Sequence, residues 1–187
     1  MVWFKKGGPT EPLAVTMAGV KLGDRLLVVG ARDPVLTAAL ATKAGLTGHA
    51  CVVEADESRA QRGATAIERE GALVEVARAP WGMLPYDRAS FDVAVVINLL
   101  MTMIPEVRVR CLSEIFRVLR PGGRIVVIEP APRAGLGALI NRQTMDPHYL
   151  AHGGAKTALK AEGFAGVRVL AERDGTLYVE GAVTSRT

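Results

Sequence analysis

The stretch Leu26-Leu27-Val28-Val29-Gly30-Ala31-Arg32-Asp33-Pro34 decides the fold class. Four consecutive apolar residues ending at a glycine fit a strand buried on both faces, the kind that parallel sheets use. Asp33 followed by Pro34 then opens a helix. The carboxylate can accept a first-turn backbone N–H, and a proline at that position gives up no helical hydrogen bond. The helix is expected to end near Gly45. Strand, glycine turn and capped helix make the first half of a βαβ unit.

The same alternation continues downstream. His49 to Glu54 (HACVVE) reads as a second strand, and Ser58-x-x-Gln61 as a capping box for a helix running to about Glu70. Ala72 to Ala77 is a third strand, and Phe91 to Ile97 (FDVAVVI) the strongest buried strand of the chain. Pro105 opens a helix with Leu112, Ile115, Phe116 and Leu119 on one stripe, and Pro121-Gly122-Gly123 is expected to stop it. Ile125 to Ile128 is another strand, residues 130–150 a Pro/Gly/Arg-rich connection, and a further helix runs from about Ala155 to Gly163. In the tail, Val167, Val169 and Ala171 alternate with polar residues, and Asp174-Gly175 separates two strand-like runs, the mark of a type I′ hairpin. The expected fold is α/β: a doubly wound, mostly parallel seven-stranded sheet with an antiparallel C-terminal hairpin. Residues 1–12 read as a loose arm broken by Gly7-Gly8-Pro9, and Thr10 to Val20 as a short helix leading in. The expected organisation is therefore an arm with a short helix, 1–20, and one domain, 21–187.

Composition agrees. At 187 residues the chain suits one domain that needs no disulfide or metal staple. The net charge of +4 comes from scattered residues with no basic run beyond Lys5-Lys6, so no nucleic-acid partner is expected. Cys51 and Cys111 each lie in an apolar stretch with no CxxC and no adjacent histidine, and read as buried thiols with too few ligands nearby for zinc; no metal is expected. Met1-Val-Trp-Phe-Lys-Lys-Gly-Gly lacks an apolar segment behind it, and the run Val93 to Ile104 falls short of the ~20 residues that span a bilayer. A cytoplasmic protein without integral membrane association is expected.

Several segments, together with the order of elements, resemble one family. Leu84-Pro85-Tyr86-x-x-x-Ser90-Phe91-Asp92, the junction Leu119-Arg120-Pro121-Gly122-Gly123-Arg124-Ile125-Val126-Val127, the stretch Gly48 to Ser58 and the ending Glu162-Gly163-Phe164-x-x-Val167 with its hairpin look like class I S-adenosylmethionine-dependent methyltransferases. The small-molecule group typified by the ubiquinone/menaquinone methyltransferases is the most similar in flavour, over about residues 20–184. The resemblance implies S-adenosylmethionine as cofactor, a Rossmann-like fold and a small organic acceptor. It places the cofactor against Gly30, Ala31, Arg32, Asp33, Glu54, Ala55, Arg78, Ala79 and Asn98, with Glu54 as the ribose-binding acid. The family's first motif, an acid followed by Gly-x-Gly-x-Gly, is degenerate here: Val28 replaces the acid, Arg32 and Pro34 the second and third glycines, and Ala77-Arg78-Ala79-Pro80 brings no acid near the adenine.

Two rival readings stand beside it. A short-chain dehydrogenase needs Tyr-x-x-x-Lys, but Gly153 follows Tyr149 and Ala182 follows Tyr178 at that spacing. Asp33 would also repel a pyrophosphate at the helix start, whereas it suits a cationic sulfonium. A non-catalytic descendant serving as binding module or partner subunit fits the broken glycine turn. For catalysis the candidates are His148, Tyr149 and His152 in the connection after the fifth strand, as bases for an acceptor that must lose a proton. Asn98 would face the methyl group or cap the next turn. Met101 and Met103 with Leu99, Leu100 and Ile104 would line an apolar acceptor pocket or belong to the core. An open site leaves room for a homodimer or a partner subunit.

Overall fold

The computed structural model describes residues 12–131 and 146–184. Residues 1–11 of the arm and 132–145 of the long connection lie outside them. Helices α1 (Leu13–Ala18), α2 (Pro34–Ala44), α3 (Glu57–Arg69), α4 (Pro105–Val118), α5 (Pro147–Ala151) and α6 (Gly154–Ala161) flank strands β1 (Arg25–Val29), β2 (His49–Glu54), β3 (Glu75–Arg78), β4 (Phe91–Ile97), β5 (Leu119–Pro130), β6 (Ala165–Arg173) and β7 (Thr176–Ala182). The strand order is β3-β2-β1-β4-β5-β7-β6. β1 to β5 run parallel, and β7 is antiparallel to both β5 and β6.

Strand periodicity builds two cores from one sheet. Leu26, Val28, Val52, Val93 and Val95 face α1, α2 and α3 through Val15, Leu40 and Ile67. Leu27, Val29, Val53, Ala94 and Val96 face α4 and α6 through Leu112, Ile115 and Leu159. Asp174 and Gly175 both take positive φ, 51° and 72°, as a type I′ turn requires.

Some elements depart from expectation. The N-cap of α3 is Asp56, which accepts from Arg59 N at 2.8 Å; the capping box on Ser58 and Gln61 does not form. An acid two residues earlier reaches the orphan N–H first. β3 begins three residues late, at Glu75. α4 ends at Val118, ahead of Pro121-Gly122-Gly123, which lies within β5 and does not itself stop the helix. Phe91 pairs with Leu119 and Val93 with Arg124, so Arg120–Gly123 bulge out opposite Asp92. Gly122 has φ +80°, and a Cβ on Gly123 would lie 2.9 Å from the Arg120 carbonyl. Within the expected Thr10–Val20 helix, the described residues form the shorter α1, which Gly19 ends in the left-handed region and Arg124 clamps by donating to the Ala18 and Gly19 carbonyls.

Candidate functional site

Chain connections reverse direction between β1 and β4, and in open α/β sheets ligands bind at the carboxyl edge of that switch point. Gly30 leaves β1 with φ +94°, and a Cβ there would press on Leu99 at 3.3 Å. Asn98 leaves β4 with φ 51°, exposed, its N–H donating to Ile128 O at 2.8 Å. A left-handed non-glycine residue stores strain, and such residues concentrate at functional sites.

Glu54 ends β2 with a buried carboxylate, and three backbone donors explain how it is tolerated. Ala31 N gives to Oε2 at 3.1 Å, and Ala55 N and Asp56 N give to Oε1 at 2.9 and 3.1 Å. Arg59 Nε lies 3.4 Å from Oε1. Glu54 thus ties the first βα turn to the second and turns its carboxylate into the loops, not outward as a free ribose acceptor. α3 packs so tightly on this turn that a Cβ on Gly63 would lie 2.6 Å from Ala31 Cβ.

Arg32 reaches across the crevice and donates to Thr102 Oγ1 at 3.3 Å. Partial burial and then the charge of Arg59 pull its guanidinium below the ordinary arginine range, and Glu54 opposes them. Asp33 caps α2 by accepting from Leu36 N at 2.9 Å, so its carboxylate is committed and does not stand in for the acid missing at Val28. Arg78 pairs with Glu57 at 3.2 Å in solvent, and Ala79 N donates to Glu54 O at 3.2 Å. The structure thus aligns Gly30, Ala31, Arg32, Asp33, Glu54, Ala55, Arg78, Ala79 and Asn98 along one sheet edge. Of these, Arg32 and Asn98 present exposed polar side chains beside the switch point.

The three catalytic candidates separate. Tyr149 is buried and donates its hydroxyl to Glu129 Oε2 at 2.8 Å; burial, then the nearby Glu129 charge, drives its pKa far up, which leaves it no base role. His148 and His152 are exposed, stacked with ring centroids 4.9 Å apart, and line a cavity of about 280 Å³ with Arg108, Asp146 and Thr157. Leu99, Leu100, Met101 and Met103 are buried in the core, and Ile104 is exposed, so they do not form an acceptor pocket.

Sequence reasoning missed Glu129, Arg108 and Asp146. Glu129 is 1% exposed and also accepts from Ala155 N at 3.2 Å. Burial raises its pKa, against the Tyr149 and Ala155 hydrogen bonds and the Arg108 charge. Arg108 donates to Leu100 O, Met103 O and Asp146 Oδ2 at 3.0, 2.6 and 2.6 Å, and its guanidinium lies 4.3 Å from the Tyr149 ring centroid. Its hydrogen bond is the main reason Asp146 titrates below the ordinary carboxylate range. A signal existed: Arg108 stands four residues before Leu112, on the apolar stripe, and Glu129 ends an apolar strand as Glu54 does.

Both cysteines are free and buried, and burial lifts their thiols to about 11 at Cys51 and about 12 at Cys111. Near Cys51 the fold brings together donor atoms that are separate in the sequence: its Sγ, a ring nitrogen of His49 and a carboxylate oxygen of Glu75 all lie within 4.8 Å of one another. Among the described residues no helix is long and apolar enough to cross a membrane.

Known proteins sharpen this geometry. The chain is 30% identical over 115 residues to the ubiquinone/menaquinone biosynthesis C-methyltransferase UbiE of Ralstonia pickettii, covering 62% of this chain and 46% of that protein. The corresponding enzyme of Nitrosospira multiformis is also 30% identical, over 117 residues, with 62% and 47% covered. The chain thus spans about half the length of these relatives. Among solved structures, an S-adenosylmethionine-dependent methyltransferase from Aquifex aeolicus superposes with a TM-score of 0.75 at 16% identity, covering 92% of this chain and 88% of that one. The cyclase SpnF superposes at 0.71 with 18% identity, covering 93% and 79%. Those likenesses concern the fold. The methyltransferase-domain family profile matches residues 27–127, from inside β1 to inside β5 and just over half of the chain, and on that match the chain belongs to the methyltransferase domain family, whose methyl donor is S-adenosylmethionine.

Proposed function

We propose that this chain transfers a methyl group from S-adenosylmethionine to a small organic acceptor at the carboxyl edge of β1, β2 and β4. The observation that carries the reading is the pair of left-handed residues, Gly30 and Asn98, on either side of the switch point, with the Glu54-braced turns beside them. The backbone fits the cofactor at Gly30, where no side chain stands in the way. The Arg32 side chain fits it less well, but its link to Thr102 is an exposed hydrogen bond, worth roughly 0.5–1.5 kcal/mol net at most.

Bound there, S-adenosylmethionine supplies a methyl already activated by its sulfonium. The protein's work is then alignment and exclusion of water. Gly30 and Ala31 give close backbone approach, and Glu54 and Ala55 hold the floor through the three N–H bonds described. Arg78 and Ala79 would flank the far side, and Asn98 would face the transferred methyl. Where the acceptor must lose a proton, the exposed imidazoles of His148 or His152 take it, and Tyr149 keeps their helix in place by bonding Glu129. A small organic acceptor is in keeping with relatives named for ubiquinone/menaquinone biosynthesis. The reading keeps the division into arm plus short helix, 1–20, and domain, 21–187. It also includes a cytoplasmic location and a homodimer or partner subunit over the open side of the crevice.

A second reading, a non-catalytic binding module, is favoured by one observation: Arg32 and Arg59 set two guanidinium groups near Glu54, where an anion is better received than a sulfonium. Calorimetric titration with S-adenosylmethionine and with its demethylated product decides. Saturable heat for both is expected, weaker than a full glycine motif would give. No heat and no thermal shift at millimolar ligand overturns the methyl-transfer reading in favour of the binding module.

A further inference from the structure

The opposite, amino-terminal edge of the sheet carries a cluster that methyl transfer does not use. Strand periodicity puts His49 and Cys51 on one face of β2, and the parallel register sets Cys51 beside Glu75 of β3. His49 Nε2 lies 3.2 Å from Glu75 Oε2, and Cys51 Sγ lies 4.0 Å from the same oxygen. These atoms edge a cavity of about 300 Å³ also lined by Arg25, Tyr86 and Asp87. The Tyr86 hydroxyl is buried with no hydrogen-bond partner, and Tyr86 lines the same cavity as Cys51.

We propose that His49, Cys51 and Glu75 form a three-ligand site for a divalent cation of the zinc type, with solvent in the fourth position. A zinc centre with nitrogen and oxygen at about 2.0–2.2 Å and sulfur at about 2.3 Å sets tetrahedral edges of roughly 3.4 Å for N···O and roughly 3.6 Å for S···O. The observed N···O distance is close to that value, the S···O distance needs to close by a few tenths of an ångström, and the S···N edge, within 4.8 Å, closes through a rotamer adjustment of the exposed His49. The mixed imidazole, thiolate and carboxylate set is that of a borderline cation, not of magnesium or calcium. On binding, the Cys51 thiol proton leaves to solvent, and the thiolate and carboxylate charges neutralise the divalent ion. Asp87 and Arg25 on the cavity wall offset one another, and the unpartnered Tyr86 hydroxyl is placed to donate to the thiolate, the outer support metal ligands ordinarily have. An exposed His49–Glu75 ion pair alone would account for two of the three groups but not for the thiol and the tyrosine turned to the same point. The site lies at the sheet edge away from the crevice, so the ion's role is to pin edge strand β3 to β2.

The test uses the full chain, stripped of metal and titrated with Co²⁺. One equivalent is expected to produce a thiolate-to-cobalt charge-transfer band in the near ultraviolet, and Zn²⁺ is expected to displace it. The band should persist in Cys111→Ser and vanish in Cys51→Ser. Loss of one ligand is expected to weaken binding at least about tenfold, the scale seen even for outer supports. Glu75→Gln and His49→Gln, at exposed positions that leave folding intact, therefore carry the test should Cys51→Ser not fold. No band in the wild type, a band surviving Cys51→Ser, a band lost in Cys111→Ser, or unchanged affinity in both Glu75→Gln and His49→Gln overturns the proposal. None of these outcomes depends on whether the chain transfers methyl groups.

Discussion

Glu54 and Glu129 are two acids at the carboxyl ends of two parallel strands, on either side of the β1/β4 switch point, 0% and 1% exposed. The sequence around them is alike, an apolar run closed by a glutamate. Their surroundings differ. Glu54 is held by three backbone N–H groups from two neighbouring turns, whereas Glu129 has one backbone N–H and one tyrosine hydroxyl. Backbone donors are fixed by the turns they belong to, so removing their acceptor leaves them stranded. A tyrosine hydroxyl can rotate, and burial at Glu129 is strong enough to raise its pKa despite both hydrogen bonds. Glu54 therefore organises backbone, and Glu129 anchors a side-chain cluster.

Glu54→Ala is the harshest test of that difference. Each buried donor left without a partner costs roughly 1–3 kcal/mol, so a loss of about 3 kcal/mol or more is expected. At roughly 2–4 °C per kcal/mol for a chain of this size, the melting temperature should fall by about 10 °C, read by circular dichroism. Glu129→Ala should cost less, about 1–2 kcal/mol, because it also relieves the burial of an acid. Equal losses at the two sites would break the comparison.

The next effect is one of pH. Because the Glu129 pKa is raised in the folded state, the native protein keeps that proton to higher pH than the unfolded chain does. In the window between the ordinary carboxylate value and the raised one, unfolding releases a proton, so stability falls as pH rises. Asp146 acts in the opposite sense: its lowered pKa gives stability that is present above the ordinary carboxylate range and lost as pH falls. Glu129→Gln should remove the first slope and leave the second. Urea denaturation across the acidic range should show the variant gaining on the wild type as pH rises, and parallel curves would mean that Glu129 is not titrating in a buried site. Tyr149→Phe should steepen the wild-type slope, since it withdraws one donor from the carboxylate.

What was legible in the sequence was local. HACVVE and FDVAVVI give β2 and β4 at their observed bounds, because a run of β-branched and apolar residues needs no distant partner to be recognised. Asp33 and Asp174-Gly175 carry their caps and turns in their own side chains and backbone. What was hidden was non-local. The bulge at Arg120–Gly123 exists only against Asp92, and the approach of Glu75 to Cys51 only through the β2/β3 register. Glu54 stands out in the sequence as an acid closing an apolar strand, but the direction of its carboxylate depends on where Ala31 N lies, 23 residues upstream. Arg108 is masked by its own charge: it lies four residues before Leu112 on the apolar face of α4, where hydropathy marks only its apolar neighbours.

The smallest expected effect concerns Arg32, the exposed cation between the two buried acids. Arg32→Ala touches no core contact, so stability should change by no more than about 0.5 kcal/mol. Two consequences for binding point the same way. The variant frees the crevice from the 3.3 Å contact with Thr102, and it removes a positive charge from the neighbourhood of a cationic ligand. Affinity for S-adenosylmethionine should therefore rise by a few-fold, about what a net exposed hydrogen bond of roughly 0.5–1 kcal/mol provides. The two contributions part company with salt: the charge effect fades as the Debye length shrinks from about 10 Å at 0.1 M to about 3 Å at 1 M, and the steric gain does not. Titrations at both ionic strengths should thus show a gain that is larger at low salt and still present at high salt. A loss of affinity in the variant would mean that Arg32 holds the ligand, and the crevice would then be read as an anion site braced by Glu54.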